Sequence, residues 1–141
     1  MPTSLRIGLL LLVGLCLAAT SAQAQISVVV AISSSHAANQ AQVKDFFSGA
    51  RLTWTDGSKV QVVDQPDTEL SETFYKTVVG RSPAQVRVQW TKLVLSGQAK
   101  APVKGKSDAE VKAAVSGNPN AIGFIATSAL DDSVKELVRI E

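Results

Sequence analysis

Two groups of hydroxyl residues carry the arrangements in this sequence best suited to binding chemistry. Ser33-Ser34-Ser35 follow directly on the apolar run Ile26–Ile32. Hydroxyls at a strand exit can hydrogen-bond an oxyanion without contributing a net charge. Thr68 and Ser71 lie at the start of a helical pattern that follows a second apolar run, Val60–Val63. The first N–H groups of a helix lack intrahelical partners and carry partial positive charge, so an oxyanion is the natural ligand there. A strand feeding a helix N-terminus is also where open α/β sheets bind their ligands. Ser33, Ser34, Ser35, Thr68 and Ser71 are therefore the expected ligand-binding residues, acting as hydrogen-bond donors.

Other chemistries are poorly supplied. His36 is the single histidine and Cys16 the single cysteine, too few for a zinc site of the usual kind. No G-x-S-x-G occurs and one histidine leaves little choice of base, so no Ser-His-Asp assignment is made. His36 reads either as a solvated loop residue or as an aid to an anion site. Lys104-Gly105-Lys106-Ser107 fails as a phosphate loop, because Lys100 stands where its first glycine belongs and a helix end precedes it. Lys100, Lys104 and Lys106 read as a solvated loop, or as a collector of anions. No catalytic residue, metal ligand or cofactor is expected, and an enzyme is the least supported class.

The first 24 residues read as an export leader. Arg6 forms the positive region, Ile7–Ala19 the apolar core, and Ala22-Gln23-Ala24 the small-x-small cleavage site. The apolar core is about 13 residues long, short of the roughly 20 that span a bilayer. Leu15 before Cys16 argues against lipid attachment. A mature chain starting at Gln25 is expected in the periplasm or secreted, without cysteine and hence without disulfides. Removing Arg6 leaves 13 basic residues against 12 acidic ones, a balance that argues against nucleic-acid binding. No second long apolar segment follows, so the mature chain is not expected to span a membrane.

About 117 residues then remain for one domain. Ile26–Ile32 is a nearly continuous apolar run, the pattern of a strand covered on both faces. Asn39 and Gln42 make a capping box for a helix bearing Val43, Phe46 and Phe47. Arg51–Lys59 connects through an Asp56-Gly57 turn to the strand Val60–Val63. Leu70, Phe74 and Val78 then mark a helix from Thr68 to Gly80. Ser82-Pro83-Ala84-Gln85 opens the next helix, lined by Val86, Trp90, Leu93 and Val94. Gln98–Lys106 reads as loop, and Ser107 with Glu110 as a capping box for a short helix. Ala121–Ala126 is a third apolar strand, Thr127–Leu130 a helical turn, and Ser133–Ile140 an edge-like strand. Trp54 and Trp90 read as core. Strands alternating with helices predict a single three-layer α/β domain with a mainly parallel or mixed sheet.

In that order the motifs resemble a known family. Phe46-Phe47-Ser48-Gly49 with Trp54-Thr55-Asp56-Gly57, then Val62-Val63-Asp64-Gln65-Pro66, Phe74-Tyr75, Gly80–Val86 and Asn118–Ile125 are similar to short relatives of the periplasmic phosphate-binding protein of phosphate ABC transporters. The match runs from Ile26 to Leu137. It implies one lobe of a type 2 periplasmic-binding-protein fold and a role in phosphate-type transport. It also implies a phosphate loop after Val60–Val63, but the family's glycine and nearby arginine are absent there. Asp67, Glu69 and Glu72 stand in that region instead; they favour the helix dipole by about 0.3–1 kcal/mol each and oppose a phosphate dianion.

The expected function is a periplasmic solute-binding-like protein that takes phosphate or another small oxyanion and meets an ABC permease or another periplasmic protein. The alternative is a non-catalytic interaction module that keeps the fold and has lost phosphate binding. A homodimer that rebuilds a two-lobed cleft is a third arrangement.

Overall fold

The computed structural model describes residues 25–141, so the leader and its cleavage site lie outside the described residues. Five strands and four α-helices alternate: β1 (Ile26–Ala31), α1 (Gln40–Ser48), β2 (Gln61–Asp64), α2 (Glu69–Phe74), α3 (Pro83–Leu95), β3 (Val103–Lys104), α4 (Asp108–Ser116), β4 (Ala121–Ala126) and β5 (Val134–Ile140). The sheet order is β3-β2-β4-β1-β5. β2 runs parallel to β3 and β4, whereas β1 runs antiparallel to both β4 and β5. The sheet is mixed, and its fully buried first strand is flanked on both sides.

Alternation along the strands divides the core. Val28, Val30, Val62, Ile122 and Phe124 face one side, with α1, α2 and α3. Val29, Val63, Ala121 and Ile125 face the other side, covered by α4 through Val111 and Val115. This is the period-two pattern of a sheet covered on both faces. Gly123 lies on the α4 face, where an added Cβ would sit 2.8 Å from Val111 Cγ1 and 3.0 Å from Val115 Cγ2. The missing side chain is what lets α4 lie so close.

Two helix starts form as their sequences predict. Asn39/Gln42 and Ser82/Gln85 each make both bonds of a capping box, and Thr68 caps α2 by accepting the Ser71 N–H. At α4 Ser107 accepts the Glu110 N–H, but the Glu110 carboxylate bonds the N–H of Lys106. The reciprocal half of that box is thus displaced by one residue. A second correction concerns 98–106, which contains β3. Its two residues are exposed and carry no periodic signal. Their pairing with Val63 and Asp64 is set by neighbours remote in sequence.

Beyond Phe74, α2 continues as one π-helical turn, Tyr75–Val79, closed when the Gly80 N–H reaches the Tyr75 carbonyl. The turn seats Phe74 and Tyr75 side by side in the core. Phe74 stacks on Phe124 at 4.1 Å between centroids, with Phe47 edge-on at 4.8 Å. Tyr75 donates a 2.8 Å hydrogen bond from its hydroxyl to Asp64 Oδ1 at the end of β2. Burial pushes the Asp64 carboxyl up from 3.8, against the Tyr75 bond, the Gln65 N–H, and the charges of Arg87 and Lys104.

Two outcomes follow for stability. Gly123→Ala should lower the urea midpoint without changing the slope, by about 1–3 kcal/mol from overpacking against α4. Asp64 is harder to ionise folded than unfolded, so its contribution falls as pH rises above about 3.8. Asp64→Asn should remove that component. The stability difference, mutant minus wild type, should therefore rise as pH increases above about 3.8 in urea titrations; a difference that stays flat, or falls, contradicts the assignment.

Candidate functional site

The turn between β2 and α2 forms one wall of a polar cavity of about 280 Å³. Asp67, Thr68, Ser71 and Glu72 supply this wall, and Ser82, Pro83 and Arg87 at the start of α3 supply the other. Two successive helices thus present their first turns to the same space. Thr68 is committed locally: its hydroxyl accepts the Ser71 N–H at 3.1 Å and donates toward Gln65 Oε1 at 3.1 Å. Ser82 is likewise engaged by its capping box. Ser71 differs from both. It is 1% exposed and its Oγ has no hydrogen-bond partner. A buried hydroxyl left unpaired costs roughly 1–3 kcal/mol, so such groups are uncommon in folded proteins.

Arg87 supplies the cavity's cation. The sequence offers one signal for it: a positive side chain in the second turn of α3, where the helix dipole disfavours positive charge. The guanidinium reaches Asp67 Oδ1 at 3.1 Å, and both side chains remain substantially exposed. Asp67 adopts φ 63°, a left-handed conformation that glycine takes freely and aspartate takes at some cost. The loop therefore keeps one glycine-type backbone turn although it contains no glycine.

The structure separates the two expected hydroxyl groups. β1 runs opposite to β2, so Ser33–Ser35 leave the sheet where β2 and β4 begin, at the end away from Thr68 and Ser71. Ser33 and Ser35 are exposed. Ser34 is buried; its Oγ accepts the His36 N–H at 3.2 Å and its carbonyl accepts from Lys135 Nζ at 2.6 Å. His36 is not a solvated loop residue. Its ring stacks on Trp54 at 4.3 Å with the two planes nearly parallel, and its Nε2 lies 2.9 Å from Asn120 Oδ1. Trp54 in turn donates from Nε1 to the Asn120 carbonyl at 3.0 Å, which locks the 51–59 connector to the β4 entrance. Trp54 and Trp90 are both buried.

Among the described residues, no group of three or more His, Cys, Asp or Glu side chains is placed to hold a metal ion. No helix among them is long and apolar enough to cross a membrane.

No family model matches the chain, and no curated protein matches it. Solved structures match it in fold. One is an ABC-type phosphate transport receptor from Vibrio cholerae, at TM-score 0.62 and 20% identity, covering 81% of this chain and 46% of that one. Another is PstS from Borrelia burgdorferi, at TM-score 0.59 and 12% identity, covering 81% and 47%. A third, from Clostridium perfringens and assigned as a phosphate ABC transporter substrate-binding protein with bound phosphate, gives TM-score 0.61 and 23% identity, covering 81% and 45%. The chain spans about half the length of these structures. At these identities the likeness is one of fold: a single α/β domain with a mixed sheet, resembling one lobe of the type 2 periplasmic-binding-protein fold.

Proposed function

We propose that this domain is a non-catalytic, solute-binding-type component of phosphate-type ABC transport that takes a small oxyanion between α2 and α3. In this reading residues 1–24 are removed and the domain acts in the periplasm or as a secreted protein, meeting a permease. The observation that carries the reading is Ser71: a buried hydroxyl with no protein partner, in the wall of a cavity that also holds Arg87. A bound oxyanion would accept from Ser71 and pair with the guanidinium, whose planar fork matches phosphate oxygens. Thr68 contributes by holding the helix start in place. The fold shared with phosphate-transport structures agrees with this class of ligand.

Asp67 works against the anion. Its carboxylate already occupies Arg87, so phosphate must displace it and meets further negative charge from Glu69 and Glu72. This occupancy favours the second reading, a protein-interaction module that keeps the fold without the ligand.

Melting curves of the purified protein in millimolar phosphate, at fixed ionic strength, separate the two. A ligand at 100 times its Kd stabilises by about 2.7 kcal/mol. Phosphate should raise the melting temperature with dose, and chloride should not. Ser71→Ala should abolish that rise while leaving the unliganded protein equally or more stable, because the lost hydroxyl was unpaired. Arg87→Gln should weaken binding by about tenfold or more. Asp67→Gly should tighten it, since it frees Arg87 and relaxes the left-handed residue. Absence of any phosphate response in both wild type and Asp67→Gly would reject the oxyanion reading and leave the interaction module.

A further inference from the structure

We propose that the cavity between α3 and β3 is a second binding site, for a small organic monocarboxylate with an apolar body. This inference is independent of the oxyanion reading. The cavity measures about 250 Å³ and has Asp64 and Tyr75 among its lining residues. Val86, Trp90, Val94, Leu95 and Pro102 line it with apolar surface. Val94 and Leu95 are 36% and 82% exposed, whereas Val86 and Trp90, on the core-facing side of the same helix, are buried. Exposed apolar side chains beside a concave, mostly apolar cavity mark a place where a ligand can bury surface.

Charge then selects the ligand. Arg87 and Lys104 both line the cavity, and Lys104 makes no ion pair among the described residues. Opposing them is Asp64, whose carboxyl is buried and accepts from the Tyr75 hydroxyl, so the lining sets two cations against one carboxylate. The lining therefore favours an anionic head and repels an amine. Inorganic phosphate fits poorly, because the apolar walls would strip its hydration without replacing it. A monocarboxylate places its charge at Lys104 and its body against Trp90, Val94 and Leu95. The volume lies below the ~300–1,000 Å³ of drug-sized pockets, which limits the body to one ring or a short branched chain.

Titration with phenylacetate, followed by NMR of the Trp90 indole N–H with Trp54 as internal reference, tests the assignment. Saturable movement of the Trp90 signal is expected, with a Kd on the order of 0.1–1 mM. Phenylacetamide, neutral and of the same shape, should bind about tenfold more weakly. Lys104→Gln, at an exposed and unpaired position, should weaken phenylacetate to a similar degree. Val94→Asp should abolish the response, and Asp132→Asn, exposed in the turn before β5, should leave it unchanged. The proposal is overturned by no saturable Trp90 movement at about 20 times the expected upper Kd, or by equal binding of the amide. It is equally overturned by a response that survives Val94→Asp or is lost in Asp132→Asn.

Discussion

The seating of α2 depends on an aromatic contact, the stack of Phe74 on Phe124. Phe124 belongs to β4, in the middle of the sheet, and Phe47 closes the pair edge-on from α1. Each buried ring contributes about 1.5–3 kcal/mol through area alone, and oriented aromatic pairs add about 0.5–1.5. A six-residue helix would not hold its place by backbone bonds. Anchored by these rings and continued by a π-helical turn, it holds Thr68 and Ser71 in fixed relation to the end of β2. Tyr75, the first residue of that turn, meets Asp64. One packing arrangement thus sets both the polar cavity before α2 and the carboxyl–hydroxyl pair beside α3.

Around that anchor the electrostatics are divided between two helices. The α2 turn carries carboxylates and α3 carries the guanidinium, so neither helix alone makes an anion site. Arg87 is central to the division: it pairs with Asp67 and also acts on the charge of Asp64. The cavities on its two sides share a cation, and each differs in what surrounds it. Hydroxyl and carboxylate groups dominate one, aliphatic and indole surface the other.

Features decided within a few residues were legible in the sequence. The Asn39/Gln42 and Ser82/Gln85 boxes and the three apolar strands depend on neighbours in the chain, and the structure has each of them. Features decided by neighbours far along the chain were not. Strand direction is one: nothing in Ile26–Ile32 says that it runs against Val60–Val63, so the sequence does not tell whether Ser33–Ser35 and Thr68 lie at one end of the sheet or at opposite ends. β3 is another, since Val103-Lys104 becomes a strand only by lying against β2. The stack of His36 on Trp54 joins segments with no shared pattern. Arg87 left only its unfavourable position near a helix start, and the left-handed turn at Asp67 was hidden because aspartate can adopt what glycine usually supplies.

The placement of β1 governs the order in which the chain can fold. The first strand is hydrogen-bonded only to β4 and β5, the last two, and Ser27 bonds Thr127 across 100 positions of sequence. During synthesis an apolar strand is therefore made early and finds both partners only once residues 121–140 have been added. The loop closures involved are long, and their entropy must be spent before the central pairing can form. A partial chain can form α1 and the 51–59 turn, but no completed sheet. Such wiring keeps the growing polypeptide open until β4 and β5 have both been made.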